Sequence, residues 1–338
     1  MAGGFRFFVY DCGTMRFALG ALRQPLAALL IPGKPFWPYF AGAVIFLVGF
    51  VRIGWAKALA ARGVDRALTF GPVFFAMPMA VFGADHFIAP RYVATVVPSW
   101  IPWHLFWVYL VGVALMASAL SIVTKKHSVL AATLLSAMLF SFVLLISVPN
   151  LIASPRDRLV LAVLLRDSSF SAGALACALA QATEWPKRRL SSMTTLVRFV
   201  LGVTSFVFGI EHFLHPEFVP VVPLRQLMPP WIPEGLFLAY VTGAFLLAAS
   251  VCLVFRWKAR LAAAWLGIIS FVMVLLVYLP IMASNLSDIG NGLNYVVDTL
   301  AFSGTALLLA NALPVENDSV TSRADRREPA AAVVPGVR

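Results

Sequence analysis

Two short motifs each place a carboxylate next to a histidine at the end of an apolar segment. The first, FGADHFIAP, contains Asp85 and His86, and the second, FGIEHFLHP, contains Glu211 and His212. Because histidine titrates near neutral pH and a neighbouring carboxylate raises its basicity, such a pair can relay protons or orient a ligand. The same groups can instead tie a helix end to the following loop. The sequence leaves both interpretations open.

Asp167 and Asp298 lie deeper inside apolar segments. Each follows the start of its segment by some eight or nine residues, which is on the order of 12–14 Å along a helix. A carboxylate inside a bilayer is costly unless it is paired, so it indicates either function or a structural hydrogen bond. Arg166 adjoins Asp167 but is expected to point elsewhere around the helix. We therefore predict Tyr109 and Tyr240, from other segments, as candidate partners.

The sequence predicts no metal site. Glu211, His212 and His215 fall within five residues, but the first motif has Ala89 where the second has His215. A symmetric set of metal ligands therefore does not follow. The three cysteines are far apart and form no CxxC motif, which argues against a thiol oxidoreductase.

The composition requires a bilayer around these residues. Of 338 residues, 61% are hydrophobic and 12% are charged, whereas soluble domains average about 45–50% and about 25%. We predict an all-α, polytopic membrane protein, because spanning helices need roughly 20 mostly apolar residues. Nine segments qualify, near 36–56, 66–87, 103–123, 128–148, 158–181, 193–213, 235–255, 259–281 and 291–312.

The basic residues indicate how the segments are oriented. Loops after the first, third, fifth and seventh segments hold eleven Lys or Arg residues, and the alternate loops hold four. Basic residues favour cytoplasmic loops, so the C-terminus is predicted to be cytoplasmic and the N-terminus outside. The net charge of +11 is scattered through short loops, which does not favour a nucleic-acid partner. The predicted partners are the lipid bilayer and, as an open alternative, a membrane or redox protein.

An internal repeat relates the two acid–His motifs. After a five-residue insertion in the second copy, one constant offset in residue number, here called the repeat offset, pairs Pro149 with Pro280 and Asp167 with Asp298. Four helices is an even number, so the copies are predicted to be parallel, about an axis along the membrane normal. The predicted domains are an N-terminal segment with one partial repeat, two four-helix units and a disordered cytoplasmic tail, over residues 1–65, 66–183, 193–313 and 314–338. Residues 1–31 stay ambiguous between an interfacial helix and a short extra span.

The order of FGx[D/E]HFxxP, a Pro-rich loop with WIP, and a Tyr and Gly opening the next helix resembles the DoxX-like family of small membrane proteins. The resemblance covers about 66–181 and again about 193–312, and it implies a tandem fusion of two four-helix units. Some members of the wider group are membrane subunits of quinone-linked thiosulfate oxidation. Quinone is therefore a cofactor that the resemblance allows but does not assign.

Three functional hypotheses follow from the sequence, and whether the protein is an enzyme stays open. The first is a quinone-linked, redox-associated membrane subunit with an acid–His site at the outer face of each repeat. The second is a small-molecule permease built on parallel repeats around the intramembrane aspartates. The third is a structural or assembly protein without catalysis.

The predicted orientation can be tested by labelling single cysteines. Cysteines introduced at Lys125, Arg188 and Lys258 should resist a membrane-impermeant maleimide in intact cells, and one at Ser99 should react, because basic loops are retained in the cytoplasm. Labelling with the two sides exchanged would contradict the orientation.

Overall fold

The computed structural model describes residues 36–53, 59–222, 225–232, 234–285 and 288–314. The ambiguous segment 1–31 and nearly all of the predicted tail lie outside the described residues. Within them the fold is helical, apart from one isolated bridge between Phe218 and Leu227. The main helices are α1 Phe36–Ile53, α2 Gly71–Ile88, α3 His104–Thr124, α4 Ser128–Ala153, α5 Arg158–Leu179, α6 Lys187–Leu214, α7 Gly235–Val254, α8 Ala259–Ser284 and α9 Ile289–Ala312.

The described helices have the length and composition of membrane spans. Eight of them, α2 (with the turn that precedes it from Asp65) through α9, are long and apolar enough to cross a bilayer. The prediction of an all-α, multi-pass membrane fold is therefore confirmed. Helix α1, which corresponds to the first predicted segment, is apolar but falls below this length. Eight of the nine predicted spans thus meet the criterion among the described helices.

Two helices continue beyond the ends predicted for them at residues 148 and 281, which lie next to Pro149 and Pro280. In α4, a π-helical turn, Val143–Ser147, precedes Pro149, and in α8 the turn Val274–Tyr278 precedes Pro280. Proline has no N–H to donate and crowds the carbonyl four residues earlier. A π turn shifts the hydrogen-bond register by one residue and accommodates it. The helices consequently run on to Ala153 and Ser284.

Element boundaries recur at the repeat offset. Helices α3, α4 and α5 begin at residues 104, 128 and 158, and α7, α8 and α9 begin at 235, 259 and 289. The left-handed backbone positions recur as well, at Trp103, Lys125 and His127 in the first half and at Glu234, Arg256 and Lys258 in the second.

The centre of the bundle is formed by helices from both halves. Helix α9 is the most enclosed span, with 89% of its apolar window buried, and it packs against α2, α5 and α8. Helix α5 packs against α4, α6 and α9. Each half thus contributes its first and last long helix to the centre, while α3, α4, α7 and α8 are more exposed.

Glycines allow these central helices to approach closely. A Cβ atom on Gly304 of α9 would lie 2.5 Å from the backbone nitrogen of Phe75 in α2. The equivalent Gly173 of α5 faces the hydroxyl of Thr305 in α9. Close backbone approach of this kind is how small residues support helix packing in membranes.

Gly304→Ala should therefore destabilise the protein by about 1–3 kcal/mol, the range for overpacking a filled core. Gly290→Ala in the same helix is the matched control, because nothing lies within 4 Å of a Cβ there. The measurement is thermal unfolding of both variants in the same detergent. Equal melting temperatures for the two variants would contradict the close α2–α9 contact.

Candidate functional site

One arginine joins the two intramembrane aspartates. Arg166 donates from Nε and Nη2 to Oδ1 of Asp167, at 3.0 and 2.9 Å, and from Nη1 to Oδ2 of Asp298, at 3.0 Å. The Ser147 hydroxyl of α4 donates to the other oxygen of Asp167, at 3.0 Å. These four residues, here called the Arg166 cluster, link α4, α5 and α9.

The prediction that Arg166 points away from Asp167 is wrong. Successive helical residues leave the axis about 100° apart, but the arginine side chain is long enough for its guanidinium to fold back to its neighbour. The same guanidinium then reaches α9. The cationic partner of Asp167 therefore lies at the adjacent position in the chain, and each aspartate also has the expected partner from another helix, Ser147 for Asp167 and Arg166 for Asp298.

The tyrosines proposed as partners lie elsewhere. Tyr109 and Tyr240 are each 42% exposed. Tyr109 packs on Phe87, with ring centroids 5.8 Å apart, and Tyr240 stacks on Phe213 at 5.6 Å. These contacts place both phenol rings on the outer surface of the bundle, apart from the Arg166 cluster.

The Arg166 cluster contains two carboxyl groups and one guanidinium. Val297 stands at the position that the repeat offset pairs with Arg166, so one guanidinium faces two carboxylates. The side chain of Asp298 is 5% exposed, whereas those of Asp167 and Arg166 keep 24% and 25% of their surface. Both carboxylates follow the start of their helix by about 13 Å at 1.5 Å per residue, which is near the middle of a bilayer core about 30 Å thick.

A cleft of about 290 Å³ leads from one end of the bundle towards the cluster. Ser147 belongs to both, since it lines the cleft and donates to Asp167. Val160 and Val163 of the cleft share a face of α5 with Asp167, at i, i+3 and i+7. The polar groups lining the cleft are Ser147, Asn150, Asp157, Arg225 and Tyr295.

His212 is fully engaged by backbone groups. It is 2% exposed, its Nδ1 lies 2.5 Å from the carbonyl of Phe208, and its Nε2 accepts from the amide of Val221 at 2.9 Å. A neutral imidazole with Nδ1 protonated satisfies both bonds. Tyr278 holds the same loop by donating to the carbonyl of Pro220 at 2.8 Å. His212 therefore ties the α6–α7 loop into the bundle.

Glu211, the acid beside His212, has a different partner. Its carboxylate accepts from Nη1 of Arg158 at the start of α5, at 3.0 Å. The Arg158 guanidinium also lies 4.3 Å from the ring centre of Phe218. Glu211 and His212 thus make two separate contacts, Glu211 with the start of α5 and His212 with the α6–α7 loop.

The first motif shares the histidine contact of the second but differs at the position that corresponds to Arg158. The Nδ1 of His86 lies 2.7 Å from the carbonyl of Phe82, matching the contact of His212 with Phe208. Ile289 stands at the position that the repeat offset pairs with Arg158, and its carbonyl accepts from the hydroxyl of Tyr39 in α1 at 3.3 Å. Tyr39 also lies close enough to Asp85 to interact electrostatically.

The structure thus brings together Asp167 and Asp298 and leaves the other predicted site residues in separate places. Sequence reasoning missed three contributors, namely Ser147, Arg158 and Arg166 as a cluster member. The position of Arg166 next to a carboxylate in an apolar segment was a sequence signal that it belongs to the same cluster. Within the described residues, no three His, Cys, Asp or Glu side chains are grouped closely enough to hold a metal ion.

Arg166→Met should destabilise the protein by about 3–5 kcal/mol, because it leaves the buried Asp298 and the partly buried Asp167 without their counter-charge. Adding Asp298→Asn should recover part of the loss by removing one of those charges. Arg91→Met is the control, since Arg91 is exposed. Thermal unfolding in detergent measures all three, and a melting temperature for Arg166→Met equal to that of the control would contradict the cluster.

A family model described as a domain of unknown function (DUF8561) matches residues 75–158. This stretch runs from α2 to the first residue of α5. It includes Asp85, His86, Tyr109 and Ser147 and ends before Arg166. No curated protein and no solved structure matches the chain.

Proposed function

We propose that this protein is a permease that conducts protons across the membrane, with the Arg166 cluster as its proton-binding site. The observation that carries the proposal is the uneven charge of the cluster beside a cleft. Two carboxylates and one guanidinium in a low-dielectric interior favour the gain of one further positive charge. A proton is the smallest such charge, and the cleft provides a route for it.

Asp167 is the carboxylate that exchanges the proton. Its side chain is 24% exposed, compared with 5% for Asp298, and its second oxygen contacts Ser147 at the cleft. A proton from water in the cleft binds to the Asp167 carboxylate. Arg166 then keeps its bond to Asp298, so the buried pair retains equal and opposite charges while Asp167 is neutral.

The architecture proposed for this function is a pair of parallel four-helix units, α2–α5 and α6–α9, with α1 as a ninth span and a partial repeat. The recurring helix starts support it, as do the inter-unit contacts, because α2 packs on α9 as α6 packs on α5. These are equivalent pairs if a two-fold axis passes between α5 and α9. The resemblance to DoxX-like four-helix units is part of this proposal.

The proposed orientation makes the cleft face outwards. Asp157 and Arg225 line it at the end of the bundle opposite the turns that hold Lys125 and Lys258. Those basic turns favour the cytoplasmic side. The C-terminus is then cytoplasmic and the N-terminus outside, and protons enter from outside.

The other two hypotheses receive different degrees of support. A quinone site at the acid–His motifs would need His86 or His212 together with Tyr109 or Tyr240, and the exposed tyrosines and the fully bonded His212 argue against it. A purely structural role is favoured by one observation, the linking of three helices by the Arg166 cluster. The experiment below separates that role from proton exchange.

Protein reconstituted in liposomes containing a pH-sensitive dye should take up protons when an inside-negative potential is imposed. Asp167→Asn should lower the initial rate by roughly tenfold or more, equivalent to about 1.4 kcal/mol, because an amide has no carboxylate oxygen to protonate. The matched control is Asp157→Asn, which changes the same chemistry in the same cleft and keeps the helix cap that Asp157 provides to Leu159.

Two results would reject the permease. One is equal proton uptake by the Asp167→Asn and Asp157→Asn proteins. The other is no uptake above that of empty liposomes by the unmodified protein, together with a lowered melting temperature for Asp167→Asn. The second pattern would assign the cluster a structural role alone.

A further inference from the structure

A second cavity, of about 550 Å³, lies at the end of the bundle opposite the cleft. It is bounded by the turn between α3 and α4, the first turns of α4, and the segment that joins α5 to α6. Its lining residues include Lys125, His127, Val129, Leu130, Thr133 and Trp185. None of them belongs to the Arg166 cluster, so the cavity needs its own explanation.

The rim of the cavity is suited to an anion. Lys125 and His127 flank the turn in left-handed backbone conformations, at φ values of 59° and 53°, immediately before α4 begins. His127 is the N-cap residue of α4 and makes no capping bond with its side chain. The amides of the first turn of α4 and the Lys125 ammonium therefore favour negative charge at the same place.

The floor of the cavity is apolar and open to the side. Leu130 is 60% exposed, and it lies with Val129 and Thr133 on the first two turns of α4. Trp185 forms another wall, and the guanidinium of Arg189 lies 4.5 Å from its ring centre. Tryptophan and arginine are typical of the depth at which lipid head groups meet acyl chains.

We propose that this cavity binds one anionic phospholipid, with the phosphodiester at Lys125 and His127 and an acyl chain along Leu130. Basic pockets between spanning helices are a known mode of recognition of anionic head groups. The surrounding charge agrees, because Lys126, Lys187 and Arg188 are exposed nearby in the chain and Glu184 is the acidic residue among them. A free phosphate would use the rim but not the apolar floor.

The corresponding turn between α7 and α8 provides a matched comparison. Arg256 and Lys258 occupy the positions that the repeat offset pairs with Lys125 and His127, and they share their left-handed backbone. The connector that contributes Trp185 to the first cavity has no described equivalent there, since the described residues end at 314. Arg260, in the first turn of α8, is paired with Asp65 at 2.6 Å. The described part of this turn thus carries similar surface charge and serves as the comparison for charge alone.

The test is native mass spectrometry of the full chain released from micelles containing equal amounts of phosphatidylglycerol and phosphatidylcholine. The unmodified protein should retain one phosphatidylglycerol. Retention should fall about fivefold or more in the double variant Lys125→Gln, His127→Gln and stay within about twofold in Arg256→Gln, Lys258→Gln. Thr133→Phe, which fills the floor without changing charge, should also lower retention.

Several results would overturn the proposal. Equal losses in the two charge variants would show that retention follows surface charge alone. Unchanged retention of phosphatidylglycerol by the Thr133→Phe protein would show that no acyl chain lies along the apolar floor. Displacement of the lipid by inorganic phosphate would identify a free-anion site instead. Size-exclusion profiles and melting temperatures matching the unmodified protein establish that each variant is folded.

Discussion

Holding two carboxylates and one guanidinium near the middle of a bilayer is the constraint around which the structure is arranged. An uncompensated charge there costs several times the energy of an ordinary hydrogen bond. The Arg166 cluster must therefore be enclosed, and the helices that enclose it must pack tightly. Gly173 and Gly304, which allow the central helices to approach, lie six residues beyond Asp167 and Asp298 on the same helices. Close packing and charge burial are thus supplied by neighbouring turns of α5 and α9.

The two halves of the chain differ where charge is concerned. Arg158 and Arg166 in the first half correspond, at the repeat offset, to Ile289 and Val297 in the second. Both arginines reach across to acidic residues of the second half, Glu211 and Asp298. A symmetric pair of arginines would neutralise the cluster completely. A single arginine leaves one carboxyl group without a counter-charge of its own, which is the feature on which the proposed function depends.

Much of the fold could be predicted from the sequence, because apolar length and basic loops are local signals. The eight long spans and the pairing of Asp167 with Asp298 by register follow from such patterns. The ion pairs could not be predicted in the same way. A contact between Arg158 and Glu211 depends on which helices of the two halves face each other, and hydropathy carries no information about that. The role of His212 was likewise hidden, because its partner Val221 lies in the loop that contains the five-residue insertion.

The π-helical turns connect a local feature of the sequence to the site. Each turn ends one residue before a valine or leucine and two residues before the proline, at Ser147 in α4 and at Tyr278 in α8. The extra residue in a π turn rotates the following side chains around the axis, and such turns are frequent at functional sites. Ser147 consequently reaches Asp167, and Tyr278 reaches the carbonyl of Pro220. Equivalent turns thus direct one side chain to the carboxylate of Asp167 and the other to the loop beside the cleft. Proline in these helices is therefore better understood as the partner of a π turn that aims a polar group inward than as the end of a span.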